Sequence, residues 1–297
     1  MYAQRLTTLT AVILVAALAV IAFASPVSAL SHHSTRHVRE LSTKLEAIRE
    51  RMRERDESWM KRHKLDYPPH KTFKQREWFY YIHRPQGSCP FLESFGDKWL
   101  CYADRFATYS DCLIYSFGTR DLKATKDFEF ELNKIAPNCE FHLFDPTLED
   151  NTVSELVDAL PSNFHFHSWG LGPPLSTKIT AFKTLGETVD AVGHGGRRIH
   201  DLKVDIEGSE WTALLSGLKE VMARGTRVDE LHVEVHMSRH MMPQSPSWEQ
   251  VALKMFDGIS DLGFIMFHSE ANPHRPAEVF EISWIHQDAM EDAVNFS

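Results

Sequence analysis

The chain has 297 residues, 43% of them hydrophobic and 25% charged, the balance of an ordinary globular protein. Its 32 Lys and Arg against 41 Asp and Glu leave a formal net charge of -9. A phosphate backbone would be repelled by that charge, so no nucleic acid is expected as a partner.

Residues 1–30 open with one basic residue, Arg5. An apolar stretch follows from Ala11 to Ala24, and then the small-residue run Ser25-Pro-Val-Ser-Ala29. That order is the pattern of a secretory signal peptide. No charge occurs from Leu6 through Ser31, so residues 6–30 could equally stay in a bilayer as a signal anchor. The short apolar core and the cleavage-like site favour the cleaved form, and both readings stay open. Either one directs the chain to the secretory pathway: the ER or Golgi lumen, a membrane-anchored state, or secretion.

Residues 31–72 read as a charged helical stalk. Val38, Leu41, Leu45, Ile48 and Met52 recur at alternating spacings of three and four, a seam of about two heptads. It serves either as a solvated stalk or as a homodimer contact, and Pro68-Pro69 ends it. The remaining 73–297 form the main domain. Four cysteines in an oxidising lumen allow disulfides. Cys89 and Cys101, in loop-like sequence, are the favoured pair, whereas Cys112 and Cys139 read as small core residues.

Beyond Phe73 apolar runs alternate with helical periodicity, which predicts an α/β fold with a mostly parallel sheet. Strands are expected at Cys112–Ser116, Glu140–Phe144, Phe164–Ser168, Ile199–Ile206 and Glu230–Val235. Phe264–Phe267 and Val279–Ile285 should pair as a final antiparallel hairpin. Helices are expected at Asp127–Ile135, Val153–Leu160, Ser209–Arg224 and Trp248–Leu262.

Ligands of an open parallel sheet bind beyond the carboxyl ends of its strands, and here polar groups gather at those ends. Gly118 ends the first strand, where a cofactor must approach the backbone. Asp145 ends the second, where a carboxylate can accept ribose hydroxyls, its plainer role being to cap the next helix. The first loop lacks the Gly-x-Gly-x-x-Gly that cradles a pyrophosphate, which disfavours a nicotinamide oxidoreductase. Asp205 and Glu207 would point to one side of an extended strand, where mutual repulsion could prepare one of them as a base. His232, Glu234 and His236 alternate on the fifth strand. With Asp205 they could ligate a divalent ion, but a hydrogen-bonded histidine is favoured and no metal is assigned. Signatures of serine hydrolases, P-loop enzymes and zinc proteases are absent from the sequence.

Several stretches together resemble the FkbM-like and methyltransferase-like protein 24 group of S-adenosylmethionine-dependent methyltransferases. They are Cys112-Leu-Ile-Tyr-Ser-Phe-Gly118, Cys139-Glu-Phe-His-Leu-Phe-Asp-Pro-Thr147, Leu202-Lys-Val-Asp-Ile-Glu-Gly-Ser-Glu-Trp211 and Leu231-His-Val-Glu-Val-His236. The resemblance spans roughly Trp99 to Trp284. It implies a Rossmann-like class I methyltransferase sheet with S-adenosylmethionine as cofactor. Ser116, Phe117, Gly118 and Thr119 would then stand at the methionine end, Asp145 at the ribose, and Trp169 and Gly170 near the adenine. Asp205, Glu207 and His236 would face a hydroxylated methyl acceptor, a glycan, lipid or small metabolite. The alternative is a membrane-associated Rossmann-like scaffold without catalysis.

Overall fold

The computed structural model describes residues 85, 87, 89–120, 125, 127–172, 182–237, 248–275 and 278–296, all within the unit Lys64–Ser297. The expected leader and stalk lie outside the described residues. Among those described, no helix is long and apolar enough to cross a membrane.

The run Cys112-Leu-Ile-Tyr-Ser-Phe is apolar almost throughout because the strand it forms is buried on both faces. It is preceded by a short antiparallel hairpin, β1 (Leu92–Phe95) and β2 (Lys98–Cys101), and a 3-10 turn over Ala103–Thr108. The central strand is then β3 (Cys112–Phe117). Helix α1 (Glu129–Ile135) leads to β4 (Cys139–Phe144), and α2 (Asp150–Ala159) leads to β5 (Phe164–His167). A two-residue pair follows, β6 (Gly170–Leu171) with β7 (Phe182–Lys183). Next come α3 (Leu185–Ala191), β8 (Ile199–Val204), α4 (Glu210–Ala223) and β9 (Val228–His236). The chain closes with α5 (Trp248–Asp261), β10 (Phe264–Ala271), β11 (Val279–His286) and α6 (Gln287–Phe296).

The seven-stranded sheet has the order β5-β4-β3-β8-β9-β11-β10. All neighbours through β9 are parallel, and β11 runs antiparallel to both β9 and β10. This is the expected Rossmann-like class I methyltransferase sheet with its antiparallel C-terminal strand. Strand order reverses between β3 and β8, so the binding crevice of such a sheet opens above those two strands.

Some expectations are corrected. Strand β8 stops at Val204, and Glu207 sits in a turn with φ 52 rather than on a strand. The β1–β2 hairpin, α3 and α6 lack the long periodic pattern that would announce them. Helix α3 is nevertheless well started: Thr184 and Glu187 exchange side-chain and backbone bonds in a capping box.

Cys112 and Cys139 are core residues, as expected, but they are also bonded to each other. They are direct partners in the parallel β3–β4 register, with Cα atoms 4.3 Å apart, a geometry that a linear sequence does not display. Cys89 pairs with Cys101 as anticipated.

Alternation divides the sheet chemically. One face of β3 and β4 presents Ile114, Phe141 and Leu143 to Phe128 and Leu132, forming a core with Phe164. Farther along that face the side chains are charged and covered by the N-terminal hairpin and the 3-10 turn after it. Lys98 meets Glu281 at 2.7 Å, and Arg105 pairs with Glu230.

Candidate active site

Three backbone hydrogen bonds knit the strand ends at the reversal point. Gly118 N donates to the Phe144 carbonyl at 2.9 Å, Asp205 N to the Phe117 carbonyl at 3.0 Å, and Asp145 N to the His167 carbonyl at 3.1 Å. Gly118, Asp145 and Asp205 therefore stand side by side on one rim. Gly118 has φ +91, and a Cβ there would lie 1.7 Å from the Asp205 carbonyl oxygen. The strand crossing itself demands this glycine, whereas the sequence reading ascribed it to an approaching cofactor.

Asp145 is buried and does not cap the following helix. Its Oδ1 accepts from Thr147 N at 2.8 Å and Thr147 Oγ1 at 2.6 Å, and its Oδ2 accepts from Arg120 N at 3.0 Å. A carboxylate offers about four acceptor positions, so one direction stays available after these three bonds. Thr147 is no cap either, since Glu149 occupies the N-cap of α2.

The residues expected at the methionine end divide into two kinds. Ser116 is buried and donates its hydroxyl to Glu129, which also lies 3.3 Å from Lys203. Phe117 is buried and stacks on Phe144 with centroids 4.4 Å apart. Both side chains are committed inward, so these two residues can offer only their backbone. Thr119 differs: its buried Oγ1 has no hydrogen-bond partner among the described residues. The same holds for Trp169 Nε1, whose ring lies under Lys183 Nζ at 5.2 Å. A buried polar atom without a partner costs about 1–3 kcal/mol, which a ligand bond recovers. Gly170 packs so tightly that a Cβ would meet Pro146 and Phe182 at 2.9 Å.

Asp205, Glu207 and His236 do come together, though not through a shared strand face. His236 ends β9, and its Nε2 lies 3.2 Å from Glu234, 3.4 Å from Glu207 and 4.0 Å from Asp205. Glu207 reaches it from the left-handed turn, with 64% of its side chain exposed. On the other side Glu210 Oε1 accepts from His236 N at 2.8 Å and lies 3.2 Å from Nδ1. Trp211 Nε1 donates to the His236 carbonyl at 2.7 Å.

Glu210, in the first turn of α4, is the buried anchor of this cluster. Its Oε2 accepts from Gly208 N at 2.8 Å, which ties the turn before the helix to this carboxylate. Ser209 occupies the N-cap without a side-chain cap bond. His232, alternate to His236, points elsewhere, 2.8 Å from Asp201 and 2.9 Å from the Ser283 hydroxyl.

The charges follow from these contacts. Burial alone would lower the His236 pKa, but Glu210, Glu234 and Glu207 outweigh it and push it up to about 10. Burial lifts Asp205 to about 6, with Glu234 adding to the rise and Lys203 opposing it. At neutral pH the rim thus holds an imidazolium beside an ionised aspartate that is a stronger base than usual.

A family model described as a methyltransferase domain matches residues 41–286. The chain belongs to that methyltransferase-domain family. No curated protein matches it by sequence. Among solved structures it is similar to the Methanococcus jannaschii fibrillarin pre-rRNA processing protein, with 13% identity and a TM-score of 0.40 over 66% of this chain and 71% of that one. It is also similar to the 16S rRNA (adenine(1408)-N(1))-methyltransferase of Catenulisporales acidiphilia, with 16% identity and a TM-score of 0.37, covering 65% and 95% of the two chains. Precorrin-6y C5,15-methyltransferase from Geobacter metallireducens matches with 8% identity and a TM-score of 0.36, covering 62% and 85%.

Within this methyltransferase domain, sequence reasoning missed the ring of residues behind His236. Lys98 comes from the unanticipated hairpin and Glu281 from β11. Burial raises the Glu281 carboxyl well above its ordinary range, and Glu234 is held well below it by His236 and Glu281 despite burial. No spacing rule links residues so far apart in the chain.

Proposed function

We propose that this protein is an S-adenosylmethionine-dependent O-methyltransferase of the FkbM-like and methyltransferase-like protein 24 group, acting on a hydroxylated glycan, lipid or small metabolite in the secretory pathway. The observation that carries the reading is the rim itself. Gly118, Asp145 and Asp205 adjoin at the point of strand reversal, with Thr119 Oγ1 and Trp169 Nε1 buried beside them and awaiting partners.

S-adenosylmethionine is the cofactor, and it supplies an electrophilic methyl group. Asp145 accepts a ribose hydroxyl through its remaining acceptor position, Thr119 bonds the methionine end, and Trp169 borders the adenine. Gly170 keeps its packing role beside Trp169. Methyl transfer is an in-line displacement, so alignment of the acceptor contributes most of the rate. Asp205 takes the proton of the acceptor hydroxyl. His236 is already protonated at neutral pH, so it orients the carboxylates and balances their charge instead of acting as the base. Glu207, exposed at the lip, contacts the acceptor. Both disulfides among the described residues fit an oxidising compartment, in line with the apolar leader at residues 6–30.

Calorimetry with S-adenosylhomocysteine and a labelled-methyl transfer assay on fractionated cell extract test the reading together. Wild type and Asp205→Asn should both bind the nucleoside, while the variant labels the acceptor about 100-fold more slowly or worse. Asp145→Ala should lose the binding heat. A wild-type protein that gives no heat supports the non-catalytic scaffold instead.

A further inference from the structure

The sheet face opposite Ser116 and Lys203 carries a second cluster, built by strand alternation. Glu140 and His142 are two apart on β4, and His165 stands beside His142 in the parallel β4–β5 register. His194 arrives from the turn after α3, whose backbone is held by a bond from His194 N to the Val189 carbonyl at 2.9 Å.

The ligand atoms of Glu140, His142 and His165 all lie within 4.8 Å of one another, and His194 adjoins them through Glu140. Glu140 Oε1 lies 3.0 Å from His142 Nε2, 3.6 Å from His194 Nε2 and 3.8 Å from His165 Nε2. The first contact is a hydrogen bond, and the other two are too long to be one. Hydrogen bonding therefore leaves unexplained why two further imidazoles aim the same nitrogen at one oxygen. A tetrahedral ion with bonds of about 2.0–2.1 Å sets its ligand atoms about 3.3 Å apart, a spacing that these three separations bracket.

The outer partners point the same way. His142 Nδ1 lies 2.8 Å from His167 Nε2, and His194 Nδ1 lies 2.9 Å from the Tyr115 hydroxyl. Each holds its ring in place through the distal nitrogen, the arrangement that orients metal-ligating histidines. Arg197 takes the second Glu140 oxygen at 2.7 Å, leaving Oε1 to the cluster, and Asp111 at 2.6 Å offsets the guanidinium charge.

We propose that Glu140, His142 and His165 bind one divalent transition metal ion, zinc by its preference for imidazole and carboxylate, with His194 Nε2, 3.6 Å from the same carboxylate oxygen, turning in to complete a tetrahedral set. The ion ties β4 and β5 to the turn after α3. This is a structural site on the back of the sheet, independent of the methyl-transfer reading. Residue His165, 46% exposed, gives the ion a way in from solvent.

The test uses the full chain stripped with a chelator and titrated with Zn2+ by calorimetry, then with Co2+ as a spectroscopic probe. The expected result is one strongly bound Zn2+ per chain, intense visible bands of four-coordinate Co2+, and a higher melting temperature. His165→Asn and Glu140→Gln should each weaken Zn2+ by more than the roughly 10–100-fold typical of an outer partner, with folding checked by circular dichroism. Tyr115→Phe, which keeps the ring and removes the hydroxyl, should weaken it by about tenfold. Absence of Zn2+ binding, six-coordinate Co2+ bands, or binding unchanged in both ligand variants would overturn the proposal. The last result would place the ion on other histidines of the chain.

Discussion

At the rim, one imidazole, His236, lies within 4.0 Å of four carboxylates, those of Asp205, Glu207, Glu210 and Glu234. On the opposite face one carboxylate, Glu140, lies within 3.8 Å of three imidazoles. The residue types are the same, but the imidazole is protonated at the rim and neutral on the opposite face. His236 is pushed up to about 10, whereas burial, with neighbouring His194 and His167 adding to it, pulls His142 down to about 4 against the pull of Glu140. Hydrogen bonds from Arg197 and His142 overcome burial and hold Glu140 at about 2. What decides the state of a histidine here is the ratio of anions to imidazoles around it, not its depth alone.

The comparison breaks most readily at Glu210. Glu210→Gln removes the buried anion behind His236 and should cost about 2–4 kcal/mol of stability in urea unfolding. The folded-state value of His236 lies above its unfolded 6.5, so its ion pairing contributes fully below about pH 6.5 and is lost as pH rises through about 10. The deficit of the variant should therefore be largest on the acid side of that window and shrink towards pH 10. A deficit independent of pH would mean that Glu210 acts only through the Gly208 and His236 amides.

His142→Asn probes the other face in the presence of a chelator. The unfolded chain takes up a proton near pH 6.5, and folded His142 only near 4, so wild-type stability should fall as pH drops between those values. Unfolding midpoints of the variant should decline less steeply there, by up to about one proton's worth of slope. The smallest effect is expected at Glu207, whose φ of 52 strains a non-glycine residue. Glu207→Gly should raise stability by up to about 1 kcal/mol. A loss instead would show that its ion pair with His236 outweighs the backbone strain.

Much of this fold was legible because the long strands are buried on both faces and so stand out as apolar runs. Cys112–Phe117 and Ile199–Val204 are of that kind. Gly118, Asp145 and Asp205 were legible for a related reason: each stands where such a run ends, and in a parallel sheet those ends share one edge. For Ser116 and Phe117 the strand position does not reveal which partner awaits the side chain, here Glu129 and Phe144, so the sequence leaves open that only their backbone faces the rim. Glu210 does not announce itself, because a first-turn acid reads the same whether it faces solvent or a buried imidazole. His165 and His167 alternate along β5, but nothing in that spacing shows their relation to Glu140 and His194.

Local pattern alone determined the apolar strands and the residues at their carboxyl ends, and it favoured the Cys89–Cys101 bridge, because these depend on neighbours in sequence or on the general geometry of parallel sheets. Tertiary structure alone decided the Cys112–Cys139 bridge, the ring of acids around His236 and the convergence of Glu140 with three histidines. Each of those needs strands brought into a particular register, and register is set by packing across the whole sheet rather than by any one segment.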